Sequence, residues 1–130
     1  MRALVVDDSA ATRAILQRAL GERGFEVMAA ASGRDALLRM RQHDLDLVLI
    51  AWSLAGMTGF ELLRAIRRQS RYDRTKLVMV TAASRPAEMV HALAAGADEC
   101  IPKPFTPDVV YAALRHVGVP VAHAESIVCA

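Results

Sequence analysis

The chain has 130 residues, 54% of them apolar, with 16 Lys and Arg against 14 Asp and Glu and a formal net charge of +2. That length builds one domain with a sizeable core, and so even a charge balance gives no electrostatic reason to expect nucleic acid. No apolar run approaches the roughly 18 residues of a membrane span, and the start, Met1-Arg2-Ala3-Leu4-Val5-Val6-Asp7-Asp8, turns acidic too soon for a secretory signal, so a cytoplasmic protein is expected.

Leu4 to Val6 reads as a short strand ending in two aspartates, and Asp8 or Ser9 is placed to cap the next helix. That helix has one apolar stripe, Ile15, Leu16, Ala19 and Leu20, and Gly24 stops it. Phe25 to Ala30 is a second strand, and Ser32-Gly33-Arg34-Asp35 opens a second helix with Ala36, Leu37 and Met40 facing inward. Leu47 to Ile50 is a continuous apolar run, the mark of a strand buried on both faces of a parallel sheet. After a Gly-containing loop, a third helix buries Phe60, Leu63 and Ile66 and turns Arg64, Arg67 and Arg68 to solvent.

Tyr72 to Lys76 is a polar connection, and Leu77 to Val80 is a fourth strand ending at Thr81. Pro86 falls in the first turn of the next helix, where its missing N–H costs nothing. That helix carries Met89, Val90, Leu93 and Ala94 and closes at Gly96. Asp98 to Ile101 is a short fifth strand. Thr106-Pro107 starts a last helix, with Val109, Val110, Ala113, Leu114 and Val117 inside and Gly118 at its end. Residues 1–118 are expected to form the domain and 119–130 a tail or linker stub. Cys100 and Cys129 lack metal or redox spacing and are read as free thiols in a reducing compartment.

Five alternations of strand and helix with short loops call for an α/β fold, a doubly wound parallel sheet of five strands with helices on both faces. Ligands of such sheets bind outside the carboxyl ends of the strands. Four of those ends carry Asp7-Asp8, Ala51, Thr81 and Lys103. Adjacent aspartates can hold a hard cation such as Mg²⁺, or one can cap the helix while the other is a surface charge. A lone Thr or Lys would be a strand end or a solvated charge, and Lys103-Pro104 is a candidate cis peptide. Brought together, carboxylates, hydroxyl and ammonium make a pocket suited to phosphoryl transfer.

In these motifs, over about residues 2 to 117, the chain resembles the receiver domain of bacterial two-component response regulators. The resemblance implies a flavodoxin-like sheet with strand order 2-1-3-4-5. It implies Asp7 and Asp8 as the acidic metal pair, and Ser53 as the donor of a backbone carbonyl to Mg²⁺. It also implies Thr81 as the switch hydroxyl, Lys103 as the family's lysine before a cis Pro104, and Gly59 as the motif's closing glycine. Position 51 then corresponds to the phosphoacceptor aspartate, and here it is Ala51. Ala55 and Thr58 depart from the usual Pro and Asp of the loop, and Cys100 stands in the place of the aromatic switch residue.

A methyl group cannot be a phosphoryl nucleophile, so the resemblance implies a receiver that does not catalyse its own phosphorylation. Mg²⁺ binding is expected to be weak, and Lys103 is expected to turn to Asp7 or Asp8. Two origins fit: an engineered or recently inactivated receiver, or a natural pseudo-receiver that acts as a phosphorylation-independent interaction module. A haloacid-dehalogenase-like phosphatase would need its two aspartates two residues apart, and Asp7-Asp8 are adjacent. The family's partners are a histidine kinase or phosphotransfer protein. The implied partner or homodimer surface is the fourth helix, fifth strand and fifth helix, near His91, Cys100 and Tyr111. No direct contact with nucleic acid or membrane is expected.

Overall fold

The computed structural model describes residues 1–82 and 84–122; Ala83 and residues 123–130, Cys129 among them, lie outside them. The chain alternates strand and helix throughout: β1 (Arg2–Val6), α1 (Ala10–Gly21), β2 (Glu26–Ala30), α2 (Gly33–Gln42), β3 (Leu47–Ala51), α3 (Gly59–Arg67), η1 (Ser70–Tyr72), β4 (Lys76–Ala82), α4 (Pro86–Ala94), β5 (Glu99–Lys103) and α5 (Pro107–His116). All pairings are parallel and the sheet order is β2-β1-β3-β4-β5, as expected. Helices α2, α3 and α4 cover one face and α1 and α5 the other, so each face has its own apolar layer. β3 is central and buried at all five residues, which is why its sequence shows no alternation.

Local chemistry sets the helix starts. Ser9, Ser32, Thr58 and Thr106 each accept a backbone N–H from the first turn of α1, α2, α3 and α5. Ser9, rather than Asp8, caps α1. β4 and β5 run further than their apolar cores suggest, so Thr81 and Lys103 lie inside strands instead of after them. β5 tolerates Pro102 because it is an edge strand.

Several helix faces differ from the sequence pattern. Ile15, at the margin of the α1 stripe, is 54% exposed, and Val109 of α5 is also exposed. Phe60 and Leu37 are half-buried, while Leu62 takes the fully buried place on α3. In α4 only Ala92 is buried, and Val90 is 65% exposed. Arg67 is not a solvated charge. Its guanidinium reaches Gly96 O at 2.8 Å, Tyr72 O at 3.0 Å and Asp98 Oδ2 at 2.8 Å.

Packing continues past Gly118. Val119 and Val121 are buried in the α1/α5 layer, and Arg23 Nη1 donates to Ala122 O at 3.3 Å.

Candidate functional site

Strand register brings the chemistry together. Val6 pairs with Ile50, Ala51 with Val80, and Ala82 with Lys103, so the carboxyl ends of four strands stand level. Just beyond them lies a cleft of about 350 Å³ whose lining includes Asp7, Asp8, Ala51, Trp52, Ser53, Arg85, Glu88 and Lys103.

The loop after β3 is fixed by Gly59. Its N–H donates to Trp52 O at 2.9 Å, and a Cβ there would collide with the Ala51 carbonyl oxygen. Thr58 then begins α3 through a capping box with Glu61, and Ala51 pairs with Val80 of β4. Its methyl is buried in the layer beneath α3.

Asp7 is 2% exposed, and each of its carboxylate oxygens accepts a hydrogen bond. Oδ1 accepts the Ser9 N–H at 2.9 Å, and Oδ2 accepts from Lys103 Nζ at 3.0 Å. The Asp7 carbonyl accepts from Arg13 Nη1 at 2.6 Å. A buried carboxylate needs such compensation, and Lys103 supplies the opposite charge. The lysine thus turns to Asp7, as anticipated, and the Lys103-Pro104 peptide is cis. Asp8 is exposed at the rim.

Two residues of the cleft carry no sequence signal. Arg85 and Glu88, at the start of α4, line its outer wall and face each other at 3.6 Å. Nothing in a helix's first turn says that it folds back over a neighbouring strand end. The cleft therefore holds three carboxylates (Asp7, Asp8, Glu88) against two cations (Arg85, Lys103).

Thr81 adjoins this group without lining the cleft. It is 1% exposed, and its Oγ1 finds no hydrogen-bond partner among the described residues. By strand alternation its side chain shares the face of Leu77 and Met79.

The donor set does not fit a tightly held Mg²⁺ ion. Mg²⁺ takes six oxygens in near-octahedral geometry. Here both Asp7 carboxylate oxygens are already bonded, Ala51 offers none, and no cluster of three or more His, Cys, Asp or Glu side chains gathers among the described residues.

The three residues expected at the partner surface separate. His91 is exposed on α4. Cys100 is half-buried on β5, its Sγ 3.8 Å from Met89 O. Burial, aided by the neighbouring Glu99 carboxylate, raises its thiol to about 11. Tyr111 is not a surface residue. It is buried against α1 on the other face of the sheet, where its hydroxyl finds a backbone carbonyl and Arg23 stacks on its ring at 4.2 Å.

Comparison with known proteins agrees with this architecture. The family model described as "Response regulator receiver domain" matches residues 3–115. The chemotaxis protein CheY homolog of Campylobacter jejuni is 35% identical over 119 residues, 90% of this chain and 92% of that protein. The phosphate regulon transcriptional regulatory protein PhoB of Rhizobium meliloti is 36% identical over 107 residues, 82% of this chain but 47% of that longer protein. The structure of chemotaxis response regulator CheY4 of Vibrio cholerae superposes with a TM-score of 0.84 at 34% identity, covering 89% of this chain and 97% of that one. No helix among the described residues is long and apolar enough to cross a membrane. With the strand order, the strand-end residues and these likenesses in accord, the chain belongs to the response regulator receiver domain family.

Proposed function

We propose that this receiver domain has lost its phosphoryl acceptor and passes its signal by protein–protein contacts in a two-component pathway. One observation carries the reading. The methyl of Ala51 ends the central strand where Asp7, Asp8 and Lys103 converge, and the family's acceptor carboxylate belongs at that strand end. No other group in the cleft is suited to replace it. Ser53 is exposed and no base holds its hydroxyl among the described residues; Thr81 lies outside the cleft. The domain therefore does not act as the catalyst of its own phosphorylation, and Mg²⁺ binds weakly.

The partner is a histidine kinase or phosphotransfer protein, met in the cytoplasm. The face made by α4, β5 and α5 serves a partner or a second copy of the domain. Support for that face is the exposure of Val90, Leu93 and His91 on α4.

Acetyl phosphate with Mg²⁺ tests the reading when the intact mass of the protein is followed. The parent chain should gain no phosphoryl group, and Ala51→Asp should gain one labile adduct. An adduct on the parent chain sinks the proposal. A silent Ala51→Asp variant would instead show that the whole pocket has departed from phosphoryl chemistry, as in a natural pseudo-receiver.

A further inference from the structure

We infer that Lys103 is the resident cation of the cleft, holding by its ammonium the position beside Asp7 that a divalent ion would need and so excluding such ions. The inference deepens the function proposed for the Ala51 cleft and rests on it for the absence of a carboxylate at position 51.

Asp7 is the buried charge to be satisfied, and it is satisfied from within the chain. One carboxylate oxygen takes the Ser9 N–H and the other takes Lys103 Nζ. With a methyl at position 51, the ammonium has no second carboxylate to divide it, and Asp7 is its one ion-pair partner among the described residues. The pair is sheltered on the Asp7 side, whose side chain is 2% exposed, and more open at Lys103, at 37%. An entering divalent ion competes with the ammonium for Asp7 Oδ2. It then leaves a part-buried positive charge displaced beside itself, with the exposed Asp8 and the Arg85-paired Glu88 as the further carboxylates of the cleft. Both effects oppose binding.

The same geometry predicts a gain. Lys103→Met keeps the apolar stem and removes the charge. Asp7 then loses its one ion-pair partner among the described residues, while Arg13 stays on its backbone carbonyl, and a divalent ion can take the place beside the carboxylate. Binding to the folded state alone must also raise stability.

Trp52 is the one tryptophan of the chain and lines the cleft, so its fluorescence reports on occupancy. The parent protein, Lys103→Met and Lys103→Arg are titrated with MgCl₂ through the millimolar range at constant ionic strength, with thermal melts at each end. The parent and Lys103→Arg should show no saturable change. Lys103→Met should saturate at least about tenfold more tightly than the parent and melt higher with Mg²⁺ than without. Should Lys103→Met be unfolded alone, recovery of its fold on adding Mg²⁺ supports the inference, and no recovery overturns it. Saturation of the parent in the low millimolar range, or a Lys103→Met affinity no better than the parent's, also overturns it. Neither result bears on the phosphoryl adduct of Ala51→Asp, which is read on another variant and by mass.

Discussion

Tyr111 donates its hydroxyl to the carbonyl oxygen of Ala19 at 2.8 Å, tying α5 to the last turn of α1 across 92 residues of sequence. The last carbonyls of a helix have no partner within it, and this one is buried, so a side-chain donor is needed there. Tyr111→Phe removes the donor and nothing else. A loss of about 1–2 kcal/mol in urea unfolding is expected. Self-association through the α4, β5 and α5 face should not change, because Tyr111 is buried against α1 and is not exposed on that face.

Gly59→Ala should be more costly than an ordinary helix substitution. Alanine is the better helix former, so propensity alone would favour it by about 1 kcal/mol. The added Cβ meets the Ala51 carbonyl and the Trp52 backbone, which cannot swing aside as a side chain would. A net loss of about 2 kcal/mol or more in chemical denaturation is expected, with a shift in Trp52 emission.

Cys100 should be a slow thiol. Burial first, and the Glu99 charge second, raise it from 9.0 to about 11, so near neutral pH its thiolate is about a hundredfold scarcer than for a free cysteine. In a Cys129→Ser background, disulfide-exchange reagents at pH 8 should modify the folded protein about a hundred times more slowly than the urea-unfolded one. Because the folded state disfavours the thiolate, this group's contribution to stability is intact below about pH 9 and declines as pH rises through about 11.

Ending the chain at Gly118 should weaken the α1/α5 layer. Val119 and Val121 leave that layer, and Arg23 loses its bond to the Ala122 carbonyl. From the apolar area of two valines, about 2–4 kcal/mol of stability should be lost. A truncated protein that melts with the parent would mean that these residues only rest on the surface.

Most of the strand-end chemistry was legible because it sits at the ends of apolar runs. Leu47 to Ile50 announces a central strand, and the next residue, Ala51, must stand at the sheet's carboxyl edge. Asp7 and Lys103 could be placed for the same reason, and Thr81 beside them, whereas Ser53 followed from the family resemblance alone. The helices were less legible. A stripe such as Ile15, Leu16, Ala19 and Leu20 states an apolar side but not how far the sheet reaches around it, and Ile15 falls outside. Arg64, Arg67 and Arg68 look alike in sequence. Only the fold brings the start of β5 beside α3 and gives Arg67 three acceptors. Tyr111 is a polar-tipped ring whose burial depends on a distant helix end, and Arg85 and Glu88 reach the cleft only because α4 comes so soon after β4.

Asp98 receives Arg67 and the Leu77 N–H on the same oxygen, each at 2.8 Å, at the foot of β5. Lys103 is the last residue of that strand, about 16 Å away at the usual rise per residue. A strand is stiff along its length, so clamping its foot also sets the height of its tip. A slip of one residue would turn every β5 side chain to the wrong face. Arg67 thus acts as a distant anchor for the cleft, aiming the Lys103 ammonium at Asp7 from the opposite pole of the molecule.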